Sequence, residues 1–285
     1  MDGIDGIREI RGKTPPSGQA AMPTVRWLSQ TVLPPVALFA MMVLVWQKCI
    51  DVFRIKPYLL PSPLAVWSAL WTDAALLQRA VMYTGTAALC GFLASLLLGT
   101  VIAFAFSQSR IVRSAGYPYF IFLQTVPIVA IAPLIVRWCG NGFQSVVLVA
   151  GILSLFPILT NATQGLLQID PDLFDLFRLN NATRWQILFK LRFPSAVPSI
   201  CAGARTSSGL AVVGSIVGEF FVGQSTRHYG LGYLIEATNS NAQLDRLFAA
   251  VLTSTVFGIT SFALINLASS TILGRWYDGP VENRQ

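Results

Sequence analysis

Five long stretches of this chain contain no charged residue: Arg26 to Lys48, Arg79 to Arg110, Arg113 to Arg137, Arg137 to Asp170, and Arg246 to Arg275. Each is at least the roughly 20 residues that a helix needs to cross the hydrocarbon of a bilayer. A sixth apolar run, Ala196 to Val222, is interrupted by Arg205 and Glu219. Only 12% of residues are charged, about half the share usual in a soluble domain. These runs predict an all-α, polytopic membrane protein with six transmembrane helices, near 29–47, 80–107, 114–136, 143–168, 196–221 and 247–273. The two-residue alternation of lipid-facing strands is missing from them, which argues against a barrel.

The net charge of +7 does not imply nucleic-acid binding, because the basic residues cluster at the ends of spans. With the N-terminus inside, Arg8, Arg11, Lys13, Arg26, Arg110, Arg113, Arg178, Arg184, Lys190, Arg192, Arg275 and Arg284 lie on the cytoplasmic side. Lys48, Arg54, Lys56, Arg79, Arg137, Arg227 and Arg246 lie outside. That is 12 against 7 with Arg205 left aside, the bias expected of cytoplasmic loops. Both termini are expected in the cytoplasm of a bacterial cell, with the chain in its inner membrane. Cys49, Cys90, Cys139 and Cys201 stand singly in or beside spans, and His228 is the one histidine. Neither has metal-ligand spacing, so neither a metal nor a cofactor is expected.

Residues 1–26 are polar and rich in Gly and Pro, a cytoplasmic tail. Gly12-Lys13-Thr14 imitates the end of a phosphate-binding loop, but position 7, where that loop needs its first glycine, is Ile. Residues 27–276 form the transmembrane domain, and 277–285 a second cytoplasmic tail. Pro63 to Trp71 predicts a short helix in the membrane interface, where tryptophan concentrates. Pro118, Pro127 and Pro133 in the third span and Pro157 in the fourth predict kinked helices, tolerated where a neighbour or a cavity satisfies the freed carbonyls. Gln124, Thr125 and Pro127 cluster there as candidates for a pathway wall. Gly203, Ser207, Ser208 and the Gly214-x-x-x-Gly218 pattern allow close helix approach, either inside the chain or against a second transmembrane subunit.

Between the fourth and fifth apolar runs lies a polar, amphipathic island, residues 170–195. Asp170-Pro171 is a helix start. Leu173, Phe174, Leu176, Phe177 and Leu179 give an apolar stripe at three-to-four spacing. Asn180-Asn181 is a stop, since Asn enters the left-handed region more readily than most residues. Thr183-Arg184-Trp185-Gln186 has the pattern of a capping box, and Pro194 is expected to end the second helix before the next span. Two short helices joined by a tight turn are predicted.

The island resembles the cytoplasmic loop of the permeases of binding-protein-dependent ABC importers, whose signature is Glu-Ala-Ala followed by Gly. Asp175-Leu176-Phe177 stands where Glu-Ala-Ala is usual and Asn181 where Gly is usual. Ala182 to Trp185 and Phe193 to Pro198 match the continuation. Leu60-Pro61-Ser62-Pro63, Gln124 to Pro127 with Ala132-Pro133-Leu134, Val217-Gly218-Glu219-Phe220 and Gly230 to Ile235 are similar to the nitrate, sulfonate and taurine branch, which also includes permeases for thiamine-pyrimidine precursors and riboflavin. The resemblance covers residues 57–276. It implies the type I importer fold and a non-catalytic subunit that works as a homodimer. Its implied partners are ABC ATPase subunits, an extracytoplasmic solute-binding protein and a second copy of the permease. The first helix of the island would be the coupling helix: Phe174, Phe177 and Leu179 would anchor it, Asp175, Arg178 and Arg184 would pair across the joint, and Asn181 and Ala182 would turn the chain.

Arg205 and Glu219 are the two charges inside the fifth run. Their 14-residue separation, about 21 Å along a helix, keeps them from pairing on it. Intramembrane charges mark functional positions, so both are candidates for the pathway. Arg205 would attract an anion or snorkel to the inner surface. Glu219 would act at the outer end as a gate, a binding-protein contact, or a carboxylate meeting water. A secondary transporter is disfavoured by the scarcity of acids in the spans and the lack of internal repeats. A membrane-embedded enzyme is disfavoured because no paired carboxylates, Cys/His cluster or activated serine falls within them.

Overall fold

In the computed structural model the described residues are 33–222 and 229–277, with side chains described to 274. The two tails beyond them and His228 lie outside the described residues. The chain divides into two units, Met1–Lys56 and Pro57–Gln285. In the first, helix α1 (Leu33–Phe53) is a 21-residue apolar helix. It ends several residues later than the sequence suggests and takes in Lys48 and Asp51; Gln47 Nε2 donates to Asp51 Oδ1 one turn on (3.0 Å).

In the second unit the regular structure of the described residues is all helical. It comprises α2 (Pro63–Thr72), α3 (Ala74–Gln108), α4 (Arg110–Thr125), α5 (Ile128–Cys139), α6 (Phe143–Leu167), α7 (Pro171–Leu179), α8 (Arg184–Ile187), a π-helical turn (Leu188–Arg192), α9 (Phe193–Val222), α10 (Leu231–Ser240) and α11 (Leu244–Tyr277). Among the described residues five helices are long and apolar enough to cross a membrane, counting α1 and taking Arg184–Val222 as one, and there are six if the bent pair α4 and α5 is counted as one span.

The core is a triple contact of α3, α6 and α9, built from small residues. A Cβ on Gly91 of α3 would lie 2.7 Å from the Ala150 Cβ of α6, and one on Gly214 of α9 would lie 2.7 Å from the Ala150 Cα. Ala150 is thus held between two glycines that let both backbones close on it. Serine hydroxyls run through the same layer. Ser95 donates to the Gly151 carbonyl (2.6 Å), Ser154 to Ser95 Oγ (3.0 Å) and Ser207 to the Ser154 carbonyl (2.7 Å). Lipid offers no hydrophobic drive between helices, so close packing and such bonds hold spans together. Gly203 and Gly218 also pack on α6, against Pro157 and Val146. Of the two readings of the small-residue pattern, the structure realises the one inside the chain.

The third apolar run is the main departure from the sequence-based picture. Residues 114–136 do not make one kinked helix: α4 and α5 meet at 98°. At about 1.5 Å per residue, neither piece spans 30 Å alone. The break falls where local chemistry puts it. Pro127 lacks an N–H and would clash with the Leu123 carbonyl of a continuing helix, and the residue before a proline is pushed to extended backbone. Val126 adopts φ −72° and ψ 127°, and the Thr125 hydroxyl bonds the Phe122 carbonyl (2.9 Å).

One end of the bundle carries residues 170–192; the far end carries α2 and α10. There, Glu219 near the end of α9 is 2% exposed. Its Oε2 accepts from the Thr84 hydroxyl of α3 (3.0 Å) and from the Gly232 backbone N–H (2.7 Å), while the Leu231 N–H donates to Thr84 Oγ1 (2.9 Å). The first N–H groups of α10, which no helical carbonyl can reach, are therefore met by α3 and α9. Gly230 and Gly232 are required by the closeness: a Cβ on Gly230 would collide with the Glu219 carboxylate, and one on Gly232 with the Ile216 carbonyl oxygen. Of the three readings of Glu219, burial removes the carboxylate meeting water and leaves the gate and the binding-protein contact. Asp73 and Arg246 add an ion pair (2.9 Å) between the α2–α3 junction and the start of α11.

Replacing Glu219 by Ala leaves the buried Thr84 hydroxyl and Gly232 N–H without their acceptor, at a cost of about 1–3 kcal/mol. Replacing it by Gln keeps an acceptor oxygen in place. Thermal unfolding of the purified chain in detergent should show Glu219→Ala clearly below wild type and Glu219→Gln close to it; equal loss in both would contradict the clamp.

Candidate functional site

The island between α6 and α9 folds as its residue types dictate. Asp170 caps α7 by accepting from the Asp172 N–H (2.9 Å), with Pro171 at the first helical position. At the other end the Asn181 N–H bonds the Arg178 carbonyl (3.0 Å) and the Ala182 N–H bonds the Phe177 carbonyl (3.0 Å), the two bonds of a Schellman turn. That turn needs a left-handed residue, and Asn181 supplies it with φ 53°. The reciprocal box then starts α8: the Gln186 N–H donates to Thr183 Oγ1 (3.3 Å) and the Thr183 N–H to Gln186 Oε1 (2.8 Å).

The second helix does not stop at Pro194. A π-helical turn, in which the Phe193 N–H reaches back to the Leu188 carbonyl, carries the chain past the proline, where a regular α-helix would clash with the Lys190 carbonyl. The helix from Arg184 to Val222 is continuous over 39 residues. Its base is fixed. Leu188 (3% exposed) packs in a cluster with Phe106, Leu159, Leu166 and Ala196. Arg192 Nη1 donates to the Ser107 carbonyl at the end of α3 (2.6 Å), a cation on orphan carbonyls at the negative end of a helix.

Helix α7, by contrast, has no fully buried residue. Leu173, Leu176 and Leu179 stand 45%, 52% and 80% exposed, an i, i+3, i+6 row on one face. Phe174, Phe177 and Ala182 are half-buried, and Asp175, Arg178, Asn181 and Arg184 are exposed. The aromatic pair that the sequence offers as outward anchors is therefore partly turned in; Leu179 is outward as expected, joined by two leucines. An aromatic pair on the next helix was not foreseen from the sequence. Trp185 and Phe189, one turn apart and both exposed, stack with centroids 5.9 Å apart and planes at 14°. Their i, i+4 spacing on a capped helix was the available signal.

The pathway candidates stand at three separate places among the described residues. Gln124, Thr125 and Pro127 are exposed at the break between α4 and α5. Arg205 is half-buried on α9, with its Nε shielded and without a hydrogen-bond partner among the described residues. Glu219 sits in the far-end clamp. The grooves between α3 and α6, about 470 Å³, and between α3, α9 and α11, about 640 Å³, are lined almost wholly by apolar side chains and include none of the five. Among the described residues no group of His, Cys, Asp and Glu is arranged to hold a metal ion.

Comparison with known proteins places this geometry. The profile of the family described as "Binding-protein-dependent transport system inner membrane component" matches residues 95–275. A probable ABC transporter permease protein of Haemophilus influenzae is 33% identical over 221 residues, 78% of this chain and 89% of its own. The riboflavin transport system permease protein RibX of Chloroflexus aurantiacus is 32% identical, covering 89% of this chain and 95% of its own. The formylaminopyrimidine transport permease protein ThiX of Halalkalibacterium halodurans is 30% identical, covering 86% and 96%. Among solved structures, the MetNI methionine ABC transporter shares the fold, with a TM-score of 0.51 at 18% identity over 73% of this chain and 97% of that one. The chain belongs to the family of inner-membrane components of binding-protein-dependent transport systems: it is a multi-pass ABC importer permease.

Proposed function

We propose that this chain forms the translocation pathway of an ATP-driven importer, pairs with a second copy of itself, and is moved by separate ATPase subunits that grip α7. The observation that carries the reading is the contrast within residues 170–192. The first half is a capped helix with an outward row of Leu173, Leu176 and Leu179; the second half is fused without a hinge to a span. A soluble ATPase docking on the row, with Asp175, Arg178 and Arg184 as charge partners at its rim, would push directly on the helix Arg184–Val222. That helix reaches the far end, where Glu219 clamps α10. The loop end is then cytoplasmic and the far end faces the binding protein, in keeping with the bias of basic residues.

In this reading the surface around the α4–α5 break, with Gln124, Thr125 and Pro127, lines the pathway where two copies meet, and Glu219 belongs to its outer closure. Arg205 lies between the two ends. The solute has two readings. Relatives named for riboflavin and formylaminopyrimidine transport share 32% and 30% identity, against 27% and 28% for aliphatic sulfonate permeases and 25% for a nitrate permease. That order favours a small nitrogen heterocycle, and neutral Gln124 and Thr125 suit one. Arg205 favours an anion such as nitrate, a sulfonate or taurine. ATP hydrolysis by the reconstituted complex, with its binding protein supplied with each class in turn, separates the two. Under the anion reading Arg205→Ala abolishes stimulation; under the heterocycle reading it leaves stimulation within about twofold, a change worth about 0.4 kcal/mol.

Two further outcomes test the coupling role. Leu176→Asp puts a charge in the docking row; it should leave the chain folded, since the site is exposed, and remove solute-dependent ATP hydrolysis. Asn181→Gly should keep full coupling. Asn181→Val should weaken it, because a β-branched residue in the left-handed region costs about 1–2 kcal/mol. Equal activity of the Asn181 variants in the assembled complex would contradict the need for that turn.

A further inference from the structure

The far end of the bundle carries a helix that importer function does not absorb. Helix α2 is short, but held. Ser62 caps it, accepting from the Ala65 N–H (3.2 Å), Pro63 opens it, and Pro61 before it is fully buried. Val66 (2% exposed) and Ala69 (5%) face the bundle. Leu70 packs on the cluster of Leu77, Ala80, Leu231, Leu234 and Ala250. Its C-terminal neighbour Asp73 is tied to Arg246.

The rest of the helix surface divides into two stripes. Leu64, Trp67 and Trp71 are 74%, 60% and 69% exposed; at 3.6 residues per turn they fall within about 60° of arc. The two indoles meet edge to face, with centroids 5.9 Å apart. Directly beside this ridge run Ser68 and Thr72, exposed, their hydroxyls bonded to the carbonyls of Ala65 (2.8 Å) and Ser68 (2.9 Å). One face therefore meets protein, one is aromatic, and one is polar. After Asp73 the chain runs straight into α3, where Leu76, Met82, Leu89, Leu93 and Leu97 are exposed as on the apolar exterior of a span.

We infer that α2 is an interfacial anchor: its Leu64–Trp67–Trp71 ridge lies among lipid headgroups and the first acyl carbons, with Ser68 and Thr72 toward water. The occupant is lipid rather than a protein for a physical reason. Indole has an apolar body and a polar N–H, which suits the boundary between hydrocarbon and water. The ridge is flanked by a polar stripe, and the helix that carries it is followed at once by a span whose exposed side chains are apolar, the two environments that meet at that boundary. A helix packed this firmly fixes the depth at which α3 and α11 sit in the far leaflet.

The experiment uses the full chain in nanodiscs of phosphatidylcholine and phosphatidylglycerol, with its native cysteines replaced by Ala. Nitroxide labels at Trp67→Cys, Trp71→Cys, Ser68→Cys and Thr72→Cys are tested for collision with oxygen, which partitions into lipid, and with a water-soluble nickel chelate. Labels at 67 and 71 should favour oxygen, and labels at 68 and 72 the nickel chelate. Nickel access at all four positions, or exclusion of both reagents at 67 and 71, would overturn the inference, the second in favour of a protein partner. A parallel measurement leaves the cysteines in place. Phospholipid brominated near the headgroup should quench tryptophan fluorescence, and Trp67→Phe with Trp71→Phe should lose part of the quenched component. An unchanged quenched component would equally overturn it. Neither readout depends on transport.

Discussion

Everything in the bundle depends on how closely α6 is gripped between α3 and α9. In lipid two leucine-faced helices gain little by touching, because the acyl chains they displace are as apolar as they are. What distinguishes one partner from another is backbone approach. Gly91 and Gly214 allow that on opposite sides of Ala150, and the hydroxyls of Ser95, Ser154 and Ser207 bond across the contact in the same layer. The three spans are thereby set in one register, and the positions of both ends of the bundle follow from it.

From that grip follows a rigid route from one side of the bundle to the other. Residues 184–222 run as one helix, fixed at its base by Arg192 on the end of α3 and near its tip by Glu219, to which Thr84 of α3 also bonds. Helix α3 is thus bonded at both extremes to the helix Arg184–Val222 and packed on it in the middle through α6. The α4–α5 pair makes fewer contacts of this kind: α4 has no fully buried residue, and its 98° break leaves a polar patch on the outside of the chain.

Much of this was legible in the residues, where the determinants are local. Charge-free runs located the spans, because crossing hydrocarbon is a demand each helix meets alone. The caps at Asp170 and Thr183 and the left-handed turn at Asn181 were readable because each rests on atoms within a few residues of one another. What the sequence concealed has non-local or competing causes. Pro127 announces a disturbance, but whether it bends or breaks the helix depends on what packs on either side. Pro194 announces a stop, yet a π-helical turn lets the helix through. For Glu219 the sequence left a gate, a binding-protein contact and a carboxylate meeting water all open, because its partners Thr84 and Gly232 are set by tertiary packing; Thr84 lies 135 positions away. The inward lean of Phe174 and Phe177, against the outward row of leucines, is likewise a packing outcome that a stripe of apolar residues leaves open.

The central claim is that a soluble ATPase holds the leucine row of α7. Its most direct test is a cysteine at Leu179 in a chain otherwise free of cysteine, assembled with the cognate ATPase carrying a cysteine at the rim of its receiving groove, in the presence and absence of ATP. The account predicts a cross-link from position 179 whose yield changes with ATP, and none from a control cysteine at Leu97 on the lipid-facing side of α3. No cross-link at 179 in a complex that still hydrolyses ATP in response to solute, or labelling of that cysteine from outside intact cells by a membrane-impermeant reagent, would contradict it.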